Sequence, residues 1–114
     1  MDIQYATEKQ NEVLVFTVLD EFVNHSNAAS LKEKLFVEIA EGNSQLVLNL
    51  GNVRELDSSG LGALLFGKRQ ANNAGGDMVL ATVAPGVENM IRIAQLSHVF
   101  QIFPDVPSAV NFFS

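Results

Sequence analysis

Three short, nearly continuous apolar runs, Val13–Leu19, Leu46–Leu50 and Met78–Val83, alternate with longer segments whose apolar residues recur every third or fourth position. Runs of this length are too short for buried helices and suit strands covered on both faces. Strands alternating with amphipathic helices restrict the chain to an α/β fold. A shorter alternating stretch around Ile3, Tyr5 and Thr7 precedes the first run and predicts a hairpin partner for it. From Ala28 the period becomes 3.6: Ala28, Leu31, Leu35 and Ile39 share a face, whereas Lys32, Glu33, Lys34 and Glu38 fall largely elsewhere. Ser26 or Asn27 can cap this helix and Gly42 can end it. A central helix is predicted to begin at Asp57 or Ser58 and to run to about Ala74-Gly75-Gly76. A third follows Pro85 with Val87, Met90, Ile91 and Ala94 as its apolar positions, the proline suiting the first turn. Phe100–Phe103 reads as the last strand, and Asp105 as the cap of a terminal helix carrying Val106, Ala109, Val110 and Phe113. The predicted order is β-β-α-β-α-β-α-β-α, with a mixed sheet opened by the hairpin.

Composition bounds what such a fold can do. With 114 residues and no linker, repeat or low-complexity tract, a single domain spanning 1–114 is expected. At 47% hydrophobic and 18% charged, disorder is excluded. Seven Lys plus Arg against 13 Asp plus Glu give a formal charge of −6, which disfavours autonomous binding to nucleic acid or an anionic membrane. The expected partner is a protein or a small molecule. Absence of cysteine removes disulfides, thiol catalysis and thiolate metal sites. His25 and His98 are the only imidazoles, fewer than the three or more ligands zinc usually takes, and both read as surface or capping residues. No metal or cofactor is expected. Met1-Asp2-Ile3-Gln4 has no basic start, and no stretch approaches the roughly 18 apolar residues of a membrane span, so a cytoplasmic location is expected.

One segment carries chemistry. Glu55-Leu56-Asp57-Ser58-Ser59-Gly60-Leu61-Gly62 joins a strand to the central helix, at the carboxyl edge where open α/β sheets place function. Ser58 and Ser59 fall in the cap or first turn, where free N–H groups and the helix dipole favour added negative charge; a phosphorylatable serine fits there. The competing reading is that Asp57 or Ser58 is simply an N-cap, worth about 1 kcal/mol. Gly60 and Gly62 each cost up to about 1 kcal/mol against alanine, and close approach of another backbone would account for that. On the helical wheel Leu61, Leu64, Leu65 and Ala71 form the buried stripe, with Ser59, Gly62, Phe66 and Arg69 roughly opposite. Phe66 therefore either fills a gap under a neighbouring helix or anchors a partner beside the serines. Enzyme motifs fail. No Lys-Ser or Lys-Thr follows a glycine-rich turn, Leu65 stands where a dinucleotide fingerprint needs its third glycine, and neither serine sits in a Gly-x-Ser-x-Gly elbow. No catalytic residue is assigned.

Asp57-Ser58-Ser59-Gly60-Leu61-Gly62, followed by Gly75-Gly76-Asp77-Met78-Val79, closely resembles the STAS domain and, within it, the bacterial anti-sigma factor antagonists. The likeness spans nearly the whole chain, including the opening strand pair, Leu31-Lys32-Glu33-Lys34 and Leu46-Val47-Leu48-Asn49-Leu50. It implies a non-enzymatic switch. The family's phosphoacceptor is the serine directly after the Asp, which maps onto Ser58, with Ser59 in reserve. The implied partners are an anti-sigma factor that is also a serine kinase, and a serine phosphatase. Glu21, Asn24, Asp57, Ser58, Ser59, Gly60, Gly62 and Phe66 are the implied docking residues. One departure stands out: where relatives often carry Gly-Glu-Leu-Asp, this chain has Asp20-Glu21-Phe22-Val23-Asn24, keeping Glu21 but replacing the glycine by Asp20 and the acid by Val23 or Asn24. The alternative is a constitutive scaffold or small-ligand-binding module in which Ser58 only caps its helix.

Overall fold

In the computed structural model, which describes residues 1–114, the first apolar run becomes β2 (Val13–Val18), paired antiparallel with β1 (Tyr5–Gln10) from Tyr5↔Val18 to Gln10↔Val13. The two-residue connection is Asn11 (φ 51) and Glu12 (φ 70), the left-handed pair that a tight hairpin following the strand twist requires. The chain then crosses through α1 (Ala28–Ala40) to β4 (Gln45–Asn49), through α2 (Ser58–Asn73) to β6 (Asp77–Ala81), and through α3 (Pro85–Ile93) to β7 (Ile102–Phe103). Each arrives parallel to its neighbour, in the order β1-β2-β4-β6-β7, and α4 (Val106–Asn111) closes the fold.

The two faces of the central strands divide the core. Phe16, Leu46, Leu48, Met78 and Leu80 face one way, into a cluster with Leu31 and Leu35 of α1, Leu61 and Leu64 of α2, and Val87 and Ile91 of α3. Val15, Val47 and Val79 face the other way, against Ala109 and Val110 of α4. Alternation within a continuous apolar run is therefore real, and both faces are dry. The first cluster holds 23 buried residues and the second seven, so most of the apolar burial that stabilises the chain lies on the side that also carries α1 and α2.

Two features lay below the resolution of sequence pattern. β3 (Phe22–Val23) and β5 (Glu55–Leu56) form a separate parallel pair, Phe22↔Glu55 and Val23↔Leu56, too short to leave a period in sequence. This pair lays the segment after β2 directly beside the segment entering α2. At the start of α1, Asn27 holds the cap position but makes no capping bond. Its buried side chain turns back instead, Oδ1 accepting from Asn24 N–H (2.9 Å) and Nδ2 donating to the Phe22 carbonyl (2.9 Å). The other expected marks are present: Ala28, Leu31, Leu35 and Ile39 are buried, Gly42 follows α1 with φ 102, and Asp105 accepts from Ser108 N–H (2.8 Å).

The buried stripe of α2 differs from the wheel in one respect. Leu61, Leu64 and Ala71 are buried as expected, but Leu65 is only half-buried, and Gly60, Ala63 and Gly67 join the stripe. Gly60, Leu64, Gly67 and Ala71 step by four, three and four, which centres the face on small residues. Gly67 lets Met78 and Leu35 reach the helix backbone.

Candidate functional site

The site grows from Asp57. It leaves β5 in an extended conformation (φ −99, ψ −171), and its N–H donates to the Val23 carbonyl (3.1 Å). One carboxylate oxygen, Oδ1, accepts from Gly60 N–H (2.9 Å), capping α2; the other, Oδ2, accepts from His25 N–H (3.2 Å) on the loop before α1. A single side chain thus joins two helix entries. These bonds favour the ionised form: the Gly60 N–H first, then the backbone N–H groups of His25 and Ser59 and the nearby His25 ring, hold the carboxyl below its ordinary value against a smaller opposing effect of desolvation. The His25 ring is 82% exposed, with Nδ1 3.9 Å from Oδ2, a solvent-facing contact that is an ion pair only when the imidazole is protonated.

Because the cap is a carboxylate, the serines are released from that duty. Ser58 is the first residue of α2 and is exposed, as is Ser59. Of the two simple readings, the cap is Asp57 and not Ser58. Gly60 is buried against the β3 end, where an added Cβ would lie 2.5 Å from the Val23 carbonyl oxygen, so close backbone approach explains this glycine. It does not explain Gly62, around which nothing lies within 4 Å of such a Cβ. Gly62 and Ser59 instead line a groove between the helices with His25, Ala28, Ala29 and Lys32.

Asn24 sits against this centre, sharing a concavity with Asp57 and closing its own loop by accepting from Ser26 N–H (2.9 Å). Glu21 is exposed but set back: its carbonyl accepts from Arg54 N–H (2.7 Å), three residues before Asp57, or roughly 10 Å along a strand. Phe66 is half-buried one turn beyond Gly62, with Lys32 Nζ 5.6 Å from its ring centroid. The structure therefore brings Asn24, Asp57, Ser58, Ser59 and Gly60 together, places Gly62 on the adjoining groove with Phe66 beyond it under Lys32, and leaves Glu21 at the periphery. A residue outside the expected set also belongs here. Phe22 is 45% exposed between Glu21 and the concavity it lines with Asn24 and Asp57; an aromatic directly after Asp20-Glu21 was its sequence signal.

Removal of the bridge has a defined cost. Asp57→Ala is expected to lower stability by about 1 kcal/mol in urea denaturation at neutral pH. Since the folded carboxyl lies below its ordinary value near 4, its stabilisation is complete above that value and is lost as pH falls through the lower, folded-state value. Asp57→Asn, itself a good cap, should hold near wild type at neutral pH yet lack that part of the acid slope.

No helix is long and apolar enough to cross a membrane, and no group of three or more His, Cys, Asp or Glu is arranged to hold a metal ion. Residues 4–109 of this chain, which include the carboxylate-capped helix and its exposed serines, match the STAS domain model. An anti-sigma F factor antagonist of Paenibacillus polymyxa is 30% identical over 112 residues, covering 97% of this chain and 92% of the relative. Among solved structures, an anti-sigma factor antagonist from Mycobacterium paratuberculosis superposes with a TM-score of 0.84 at 22% identity, covering 96% of this chain and 92% of its own. The Bacillus cell fate determinant SpoIIAA in its phosphorylated form does so with 0.74 at 18% identity, covering 97% and 100%. The family match over residues 4–109 and the likeness over nearly the whole chain agree: the chain belongs to the STAS domain family, resembling within it the bacterial anti-sigma factor antagonists.

Proposed function

We propose that the chain is an anti-sigma factor antagonist: it acts by binding an anti-sigma factor that is also a serine kinase, is released when that kinase phosphorylates Ser58, and is restored by a serine phosphatase. The observation that carries this reading is the division of labour at the start of α2, where Asp57 caps the helix and Ser58 is exposed beside it. A hydroxyl with no capping duty can lose its proton to a kinase base and take the phosphoryl group from ATP without unravelling the helix. The product adds about −1.5 to −2 charge. Within α2 the helix dipole offsets it. Across an interface it stands beside ionised Asp57 on a chain of charge −6, and burying it against a partner carries a heavy desolvation cost.

Incubation of the intact chain with the host's anti-sigma factor kinase and magnesium ATP, followed by intact-mass analysis and site mapping, tests the acceptor. One phosphate on Ser58 and none on the Ser58→Ala chain is the expected result. Label on Ser59 would move the acceptor by one residue; no label on either serine would overturn the switch. The scaffold alternative loses its structural basis for Ser58, since the serine is not the cap, and it requires docking to be indifferent to Ser58→Asp.

A further inference from the structure

Phe22 occupies an unusual position for an exposed aromatic. It is 45% exposed, yet its backbone is held on both sides: it pairs with Glu55 in the short parallel sheet, and its carbonyl accepts from the buried Asn27 amide. The ring stands between two concavities. One, shared with Val23, Asn24, Leu56 and Asp57, leads to the serines; the other, of about 560 Å³, runs past Leu19, itself 48% exposed, toward Ser26. Four carboxylates surround Phe22: Asp20 and Glu21 precede it in sequence, Glu55 pairs with it across the sheet, and Asp57 lines the same concavity. Arg54 is the one Lys or Arg among these segments, residues 19–27 and 54–57.

From this arrangement we infer that Phe22 is the principal apolar anchor of the docking surface, and that the partner meets it with an apolar slot rimmed by Arg or Lys. The inference rests on the docking function proposed above and names the chemistry of its counterpart. A rigid aromatic loses little conformational freedom on binding and concentrates affinity where water is excluded around it. Charge determines the rim: a partner with acidic edges would face four carboxylates at close range, whereas a basic one is steered onto them. Phe66 is the weaker candidate, since it is half-buried and already engaged by Lys32.

The test titrates the purified anti-sigma factor kinase of the phosphorylation experiment, without nucleotide, into wild type, Phe22→Ala, Phe66→Ala and the double variant Glu21→Lys/Glu55→Lys. Circular dichroism checks that each variant is folded. Phe22→Ala is expected to weaken binding about tenfold or more. Phe66→Ala should weaken it less, and the charge reversal should slow association and diminish its sensitivity to salt. A Phe22→Ala affinity within about twofold of wild type, or a larger effect at Phe66, overturns the anchor; faster association of the charge-reversed chain overturns the basic rim. The two readings fail separately. If Ser58→Asp leaves docking intact while Phe22→Ala weakens it, gating falls and the anchor stands; the reverse result removes the anchor alone. If the wild-type chain does not bind, both fall.

Discussion

Alanine at Gly60 is expected to destabilise the chain by about 1–3 kcal/mol, while alanine two residues later, at Gly62, is expected to stabilise it by up to about 1 kcal/mol. Helix propensity favours both replacements equally. What separates them is the neighbour that the new Cβ meets. At Gly60 it would stand 2.5 Å from the Val23 carbonyl oxygen and 3.0 Å from Leu56 Cβ, atoms of two short strands that have no rotamer by which to withdraw. The same Val23 oxygen accepts the Asp57 N–H, so relief of the clash would also draw the β3 loop from the start of α2. At Gly62 nothing lies within 4 Å. Urea unfolding of the two variants checks the opposed signs. Because Gly60 lets the β3 loop lie against the start of α2, its variant is expected, on the proposed docking function, to bind the partner more weakly than its lost stability alone requires.

That contrast shows where sequence reasoning reaches and where it stops. Periodicity located the helices because each buries one face many turns long: Ala28, Leu31, Leu35 and Ile39 are the buried residues of α1, as their spacing implies. The central strands of the main sheet are legible as short apolar runs, whereas their spatial order, β1-β2-β4-β6-β7, comes from the fold. The two glycines of α2 carry no such signal. Both looked like sites of close approach, and only the fold, by laying Val23 against Gly60, distinguishes them. The sequence offers Ser26 or Asn27 as the cap of α1; Asn27 takes the position, but its amide serves contacts three and five residues back, which no capping pattern encodes. The helical wheel puts Leu65 in the buried stripe; in the fold it is half-buried, and Gly60, Ala63 and Gly67 join the stripe because close packing against α2 needs small side chains. Within the site, the Asp-Ser-Ser-Gly string marks the turn at which Asp57 caps α2 and leaves Ser58 and Ser59 exposed. That Phe22 shares that surface depended on a two-residue strand pair too short to predict.

The second large effect is the switch itself. Phosphate on Ser58 is expected to lower affinity for the anti-sigma factor at least a hundredfold, about 2.7 kcal/mol, since the added charge must be desolvated against a partner while standing next to Asp57. Ser58→Asp adds a single charge on a shorter arm and should give a smaller loss, about tenfold. Ser58→Ala removes a hydroxyl that does not cap the helix and should bind within about twofold of wild type. The loss should persist when salt is raised, because desolvation of the buried phosphate, which salt screens little, opposes binding.

The most direct measurement is calorimetric titration of the purified anti-sigma factor with two preparations of the same chain, one unmodified and one phosphorylated at Ser58 and verified by mass. Tight binding by the first, a hundredfold or greater loss in the second, and recovery after phosphatase treatment are expected; equal affinity of the two preparations would contradict gating at Ser58.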